Sequence, residues 1–179
     1  IAIAAQIITA LQTLVSRNVS PLDSAVETLG KITGGTARNV ICDKVEIEGT
    51  LRTLRPETRA LLKEKLAVIP AAIAGAMGGS AQVSVQDGYG AVYNDETLYE
   101  QFLALAKDMV GEMNIVHRQH PSLGVESFSF FVTNTPGVYY DLGCGVGSAL
   151  HTCDFYVDES CLETGAALQA AIALDFLKG

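Results

Sequence analysis

The chain has 179 residues, 49% hydrophobic and 18% charged, with 20 acidic against 12 basic side chains and a formal net charge of -8 at pH 7. Disordered and fibrous classes are excluded, and one or two globular domains with a real core are allowed. The acidic balance disfavours nucleic acid, and the longest apolar run, around 67–77, is too short to span a bilayer and contains Pro70 and Gly75. A soluble protein handling small molecules is expected, with no nucleic acid and no membrane partner. Cys42, Cys144, Cys153 and Cys161 are too scattered for a disulfide framework and have no paired CxxC spacing, which points to a reducing cytoplasm.

The chain opens inside a helical repeat, with Ile3, Ile7, Leu11 and Leu14 on one face. Such an opening is expected of the back portion of a longer polypeptide. Pro21 and Asp23 end that helix, residues 25–29 form a short extended segment leading to Gly30, and Gly34-Gly35 makes a turn. From Asn39 to Leu54 the chain is rich in β-formers: Val45, Ile47, Gly49 and Leu51 alternate with Glu46, Glu48, Thr50 and Arg52, as in a half-buried strand. Pro56 and Glu57 open a second amphipathic helix with the stripe Leu62, Leu66, Ile69, Ile73 and Met77, kinked at Pro70 and closed by Gly78-Gly79. Val83 and Val85, alternating with Ser84 and Gln86, mark a further strand. The order helix, strand, strand, helix, strand lacks one leading strand of a ferredoxin-like βαββαβ sandwich.

Past a boundary near Ala91, Asn94 and Asp95 can cap a helix running to about Glu112, with Leu98, Phe102, Leu105 and Met109 as its buried stripe. Short apolar pieces follow at 115–116, 128–132 and 138–142. The last element, 162–177, has alanines on all sides, as in a helix packed closely against a sheet. Between them a glycine-rich run, Gly143, Gly145 and Gly147, precedes His151, a position suited to a ligand at a sheet edge. By itself His151 reads either as an ordinary hydrogen-bonded histidine or as a metal ligand, and Cys153 two residues on completes no zinc spacing.

Five collinear pieces carry a resemblance: 10–17 (Ala-Leu-Gln-Thr-Leu-Val-Ser-Arg), 34–41 (Gly-Gly-Thr-Ala-Arg-Asn-Val-Ile), 48–53 (Glu-Gly-Thr-Leu-Arg-Thr), 126–131 (Glu-Ser-Phe-Ser-Phe-Phe) with Pro136-Gly137, and Leu150-His151 with Asp158-Glu159 and Gly165-Ala166. In these the chain resembles the metal-dependent aminoacylase and carboxypeptidase family, in its amidohydrolase branch with hippurate hydrolase and the enzymes cleaving indole-acetyl amino acids. The match runs over nearly the whole sequence. The resemblance implies an α/β enzyme in which a two-metal catalytic domain is interrupted by a ferredoxin-like lid that also makes a homodimer. Residues 1–91 would be the lid lacking its first strand, and 92–179 the C-terminal part of the catalytic domain.

The implied reaction is hydrolysis of an N-acyl amino acid or short peptide by a water activated on two divalent ions, zinc or manganese, with cobalt or nickel as alternatives. The resemblance makes His151 the last metal ligand, through a neutral ring nitrogen, and makes Asn39 and Arg52 the lid residues holding the substrate carboxylate. Strand alternation puts positions 39 and 52 on opposite faces, so they converge only if the backbone turns between them, with Cys42-Asp43 a plausible place. The other ligands, the general-base glutamate and the lid histidine belong to sequence before Ile1, so no catalytic residue is assigned to this chain and it is expected to be inert alone.

Plainer readings stand beside these. Arg52 can be an ion-pair partner of Glu46 and Glu48 on a solvated face. Glu126 can cap or pair locally as readily as support an active site, His117 and His120 read as surface residues, and Cys153 as a small buried apolar one. The chain departs from the family pattern at Ser127, where an aspartate is usual, at Cys42 and Cys153, where proline is usual, and at Tyr89-Gly90 in place of Tyr-Pro. A noncatalytic dimerisation or interaction module is the alternative to the enzyme.

Overall fold

The computed structural model describes residues 1–145, 147–148 and 150–178. Two compact units emerge, Ile1–Ala91 with Ser122–Glu126, and Val92–Pro121 with Ser127–Gly179.

In the first unit, the apolar repeat of the opening residues forms α1 (Ala2–Leu11), with Ala4, Ile7 and Leu11 buried. One helix was expected up to Pro21. Two are found, because the Thr13 hydroxyl donates to the Ala10 carbonyl at 2.8 Å and competes with the regular ladder, so α2 (Thr13–Asn18) starts afresh. The Asn18 side-chain amide closes α2 on the Leu14 carbonyl at 2.8 Å, and Leu14 is fully buried.

Strand β1 (Ala25–Gly34) pairs antiparallel with β2 (Val45–Thr53), in a register running from Val26 opposite Arg52 to Gly34 opposite Val45. β1 is longer than the expected segment because a bulge between Leu29 and Lys31 absorbs Gly30 and lets pairing continue. β2 is shorter than expected, since 39–44 lie in the connection. Gly49 is required by proximity: a β-carbon there would lie 2.3 Å from the Thr28 carbonyl oxygen. Alternation sends Leu29, Ile47 and Leu51 toward the helices and Thr28, Thr50 and Arg52 outward.

Pro56 starts α3 (Pro56–Ala76), where its missing N–H removes no helical bond. The helix carries on through buried Pro70 and buries Leu62 and Ala74. Ile7, Leu11 and Ala74 form the centre of the core, with Leu29, Leu66, Ile69 and Ile73 packed around it. The expected strand at 83–86 joins no ladder among the described residues. Side-chain bonds tie this segment to α3 instead: Lys63 Nζ contacts both Asp87 carboxylate oxygens at 3.0 and 2.9 Å, and Arg59 donates to the Tyr89 carbonyl at 3.3 Å.

In the second unit, Asp95 caps α4 (Glu96–Val110) by accepting the Leu98 N–H at 2.9 Å. The helix ends earlier than Glu112 because Gly111 turns it off with φ 83. A short helix, α5 (Ser129–Val132), follows, and α6 (Cys161–Leu177) packs against α4. Phe102 stacks on Tyr140 with ring centroids 4.6 Å apart. An apolar cavity of 380 Å³ opens between Phe128, Val138, Tyr140, Leu142 and Gly165.

No strand is found among the described residues of this unit, so α6 has no sheet to cover. Its buried side chains among the described residues are Ala106, Ser129 and Leu168, while Phe131, Phe176 and Leu177 are 68%, 72% and 79% exposed. Of the stripe expected on α4, Leu98, Phe102 and Leu105 are half-buried and Met109 is exposed. No helix among the described residues is long and apolar enough to cross a membrane.

Candidate functional site

The segment around His151 is an excursion clasped at its base. The Asp158 N–H donates to the Cys144 carbonyl at 2.9 Å. A β-carbon on Gly147 would lie 2.6 Å from the Tyr156 carbonyl oxygen, and one on Gly145, where φ is 81, would lie 3.0 Å from the Asp158 β-carbon. Gly145 and Gly147 of the run are therefore what let the backbone approach Asp158 and Tyr156 closely there. Inside this clasp the Ser148 hydroxyl donates to Asp154 Oδ2 at 2.9 Å, and Thr152 donates its hydroxyl to the same carboxylate. These donors hold the Asp154 carboxyl below its ordinary range.

His151 sits in this excursion with φ 66, the one non-glycine residue at positive φ among the described residues. Left-handed backbone is uncommon for non-glycine residues, though histidine adopts it more readily than most. The imidazole is exposed. It lies on a loop, not at a sheet edge.

Asn39 and Arg52 belong to the hairpin of the first unit. Asn39 is exposed in the connection between β1 and β2, where the Val40 N–H turns back to the Ala37 carbonyl. Arg52 lies near the far end of β2, opposite Val26 at the start of β1. Seven residues separate Val45 from Arg52, about 23 Å of strand. The turn expected at Cys42-Asp43 does not bring the two together. A β-carbon on Gly35, where φ is 84, would lie 3.6 Å from the side chain of Ile1, just before α1, so this end of the hairpin lies beside the start of that helix.

Arg52 does not pair with Glu46 or Glu48, which take Lys44 and Lys31. Its Nη1 donates to the Leu123 carbonyl at 3.0 Å. Glu126, half-buried, has an interaction of its own, in the same unit as Arg52. His117 Nδ1 shares a hydrogen with the Tyr99 hydroxyl at 3.1 Å, and His120 is exposed. Cys153, expected to be buried, is exposed.

Among the described residues no group of three or more His, Cys, Asp or Glu side chains is placed to hold a metal ion. His151 fits one donor of a centre, and these residues do not make a centre by themselves. Ser148 and Asp154 were missed in the sequence, where no spacing marks two side chains that meet across a turn.

Residues 4–175 match the profile of peptidase family M20/M25/M40. The chain belongs to this family. The M20 chain is 38% identical over 161 residues to the N-acetyldiaminopimelate deacetylase of Bacillus cytotoxicus, covering 89% of this chain and 42% of that protein. Its fold is similar to a protein from methicillin-resistant Staphylococcus aureus assigned as an aminohydrolase, with TM-score 0.82 and 28% identity, over 98% of this chain and 46% of the other. It is also similar to the Bacillus subtilis YxeP protein, a dinuclear metal-binding peptidase of the M20 family, with TM-score 0.78 and 28% identity, over 99% and 46% of the two chains. The chain thus spans less than half the length of the relatives it matches.

Proposed function

We propose that this chain supplies the lid and the C-terminal part of the catalytic domain of a metal-dependent amidohydrolase that cleaves N-acyl amino acids. Family membership across 4–175, with the Leu150-His151 stretch inside that match, is the observation that carries this reading. A relative named for deacetylating N-acetyldiaminopimelate, itself an N-acylated amino acid, supports the substrate class. Two divalent cations, zinc or manganese, would supply an activated water at neutral pH in the complete enzyme. His151 contributes one neutral ring nitrogen to that centre. Arg52 offers a planar, permanently charged fork to the carboxylate of the amino-acid half, and Asn39 a neutral amide donor.

One hairpin cannot bring Asn39 and Arg52 to one carboxylate, since they stand at its opposite ends. In a homodimer assembled through the lid, the loop of one copy and the strand end of the other meet the same ligand. Four free cysteines suit a cytoplasmic enzyme.

The test is hydrolysis of N-acetyl and N-benzoyl amino acids by this chain and by the same chain extended upstream in its reading frame to the length of its relatives. The reading predicts turnover by the extended polypeptide with added manganese or zinc, and none by the 179 residues alone. An extended polypeptide that dimerises but neither binds metal nor hydrolyses any such amide would instead establish the interaction module.

A further inference from the structure

The reading of His151 as a metal ligand leaves open what holds its ring in place. The backbone clasp of Cys144, Gly145 and Gly147 on Tyr156 and Asp158 fixes the base of the excursion, but it acts several residues from the histidine. Nearer to it, one side chain gathers both flanks. Asp154 accepts the Ser148 hydroxyl from the incoming side at 2.9 Å and the Thr152 hydroxyl from the outgoing side. The Phe155 N–H closes the outgoing turn on the Thr152 carbonyl at 3.2 Å.

We infer that Asp154 is a positioning residue for His151: its carboxylate ties Ser148 to Thr152 across the excursion and so sustains the left-handed backbone that presents the imidazole. This rests on the proposed role of His151. Both oxygens of a carboxylate accept, so one side chain can take two hydroxyl donors, which no neutral residue of that length does as well. Without the tie, His151 relaxes into the ordinary regions of backbone space, and its apparent affinity for a metal falls with the fraction of chains still in the competent conformation. A loss of about tenfold is expected, at the lower end of what supporting residues around metal ligands contribute.

Two measurements test it. On this chain, the three-bond coupling and carbon shifts of His151 report its backbone: left-handed in the wild type, averaged in Asp154→Ala, and intermediate in Asp154→Asn, which keeps one acceptor. The milder pair Ser148→Ala and Thr152→Val reads the same effect if Asp154→Ala unfolds the segment. A left-handed His151 that survives in Asp154→Ala, or in the pair where Asp154→Ala unfolds, overturns the inference, as does its absence from the wild type. On the extended polypeptide, titration with manganese separates the two levels. His151→Ala should abolish one site and Asp154→Ala weaken it about tenfold. If His151→Ala changes nothing, the reading of His151 fails; if only Asp154→Ala changes nothing, the positioning role fails.

Discussion

Asn39 and Arg52 occupy opposite ends of one β-hairpin, with Asn39 in the connection and Arg52 paired to Val26 at the far end. If both hold one carboxylate, they come from two copies. The extended enzymes carrying Asn39→Ala or Arg52→Ala should each lose affinity for the substrate, with KM raised at least tenfold for loss of a charged hydrogen bond at position 52. Mixed after unfolding and refolding together, they should regain activity, because a mixed dimer has one site carrying both changes and one carrying neither. No recovery on mixing would put both residues in the same copy's site, or in none.

Glu27 shares the inward face of β1 with Leu29, and its Oε1 is buried without a hydrogen-bond partner. Burial pushes its carboxyl above the ordinary glutamate value of 4.5. The folded chain therefore holds this proton more tightly than the unfolded one, so the contribution to stability is present below 4.5 and is lost as pH rises through the folded value. Glu27→Gln should remove that loss. We expect a variant more stable at pH 7 by on the order of 1 kcal/mol, screened by the solvent that reaches part of the side chain, with a flatter stability curve in mild acid. Denaturant melts at several pH values check this.

The motif glycine at 49 has a structural reason, the Thr28 carbonyl 2.3 Å from where a β-carbon would stand. Gly49→Ala must push the two strands apart next to the bulge. A cost of about 1–3 kcal/mol is expected, read as a lowered denaturant midpoint with unchanged slope. An unaffected midpoint would mean that the hairpin adapts freely.

The two units differ in what they bury. Leu14, Leu62 and Ala74 are fully buried in the first, while the second buries only Ala106, Ser129 and Leu168 among its described residues. Hydrogen exchange should accordingly find its slowest amides in α1 and α3 and much faster exchange in α4 and α6. An environment-sensitive dye that binds exposed apolar surface should bind this chain and be displaced when the rest of the catalytic domain is supplied. Equal protection in both units would contradict this.

Periodic segments were legible in the sequence because local signals and packing agree there. Ile7 and Leu11 of the first stripe, Leu62, Leu66, Ile69 and Ile73 of the second, the Pro56 start and the Asp95 cap appear as expected, while Leu14 falls in a separate helix and Met77 is exposed just past the end of α3. What was not legible depends on partners. Val83–Gln86 has the alternation of a strand but finds no ladder among the described residues, and a strand exists only as a pairing. The apolar stripe of α4 is only half covered for the same reason. At the site, the glycines before His151 were read as leading to a sheet edge, whereas Gly145 and Gly147 allow a close backbone approach within a loop. Asp154 was passed over because its role depends on two hydroxyls meeting across a turn, which spacing alone does not reveal. Arg52 was set beside Glu46 and Glu48 by sequence proximity, but lysines take both glutamates.

The central claim is that His151 is one ligand of a two-metal centre completed by residues outside this chain. The most direct measurement is bound zinc, manganese, cobalt and nickel per chain, after dialysis against metal-free buffer, for the 179 residues, the extended polypeptide and its His151→Ala variant. The account predicts near zero for the first, about two for the second and a clear loss of one ion in the third. One or two ions on the 179 residues alone, or an unchanged count in His151→Ala, would contradict it.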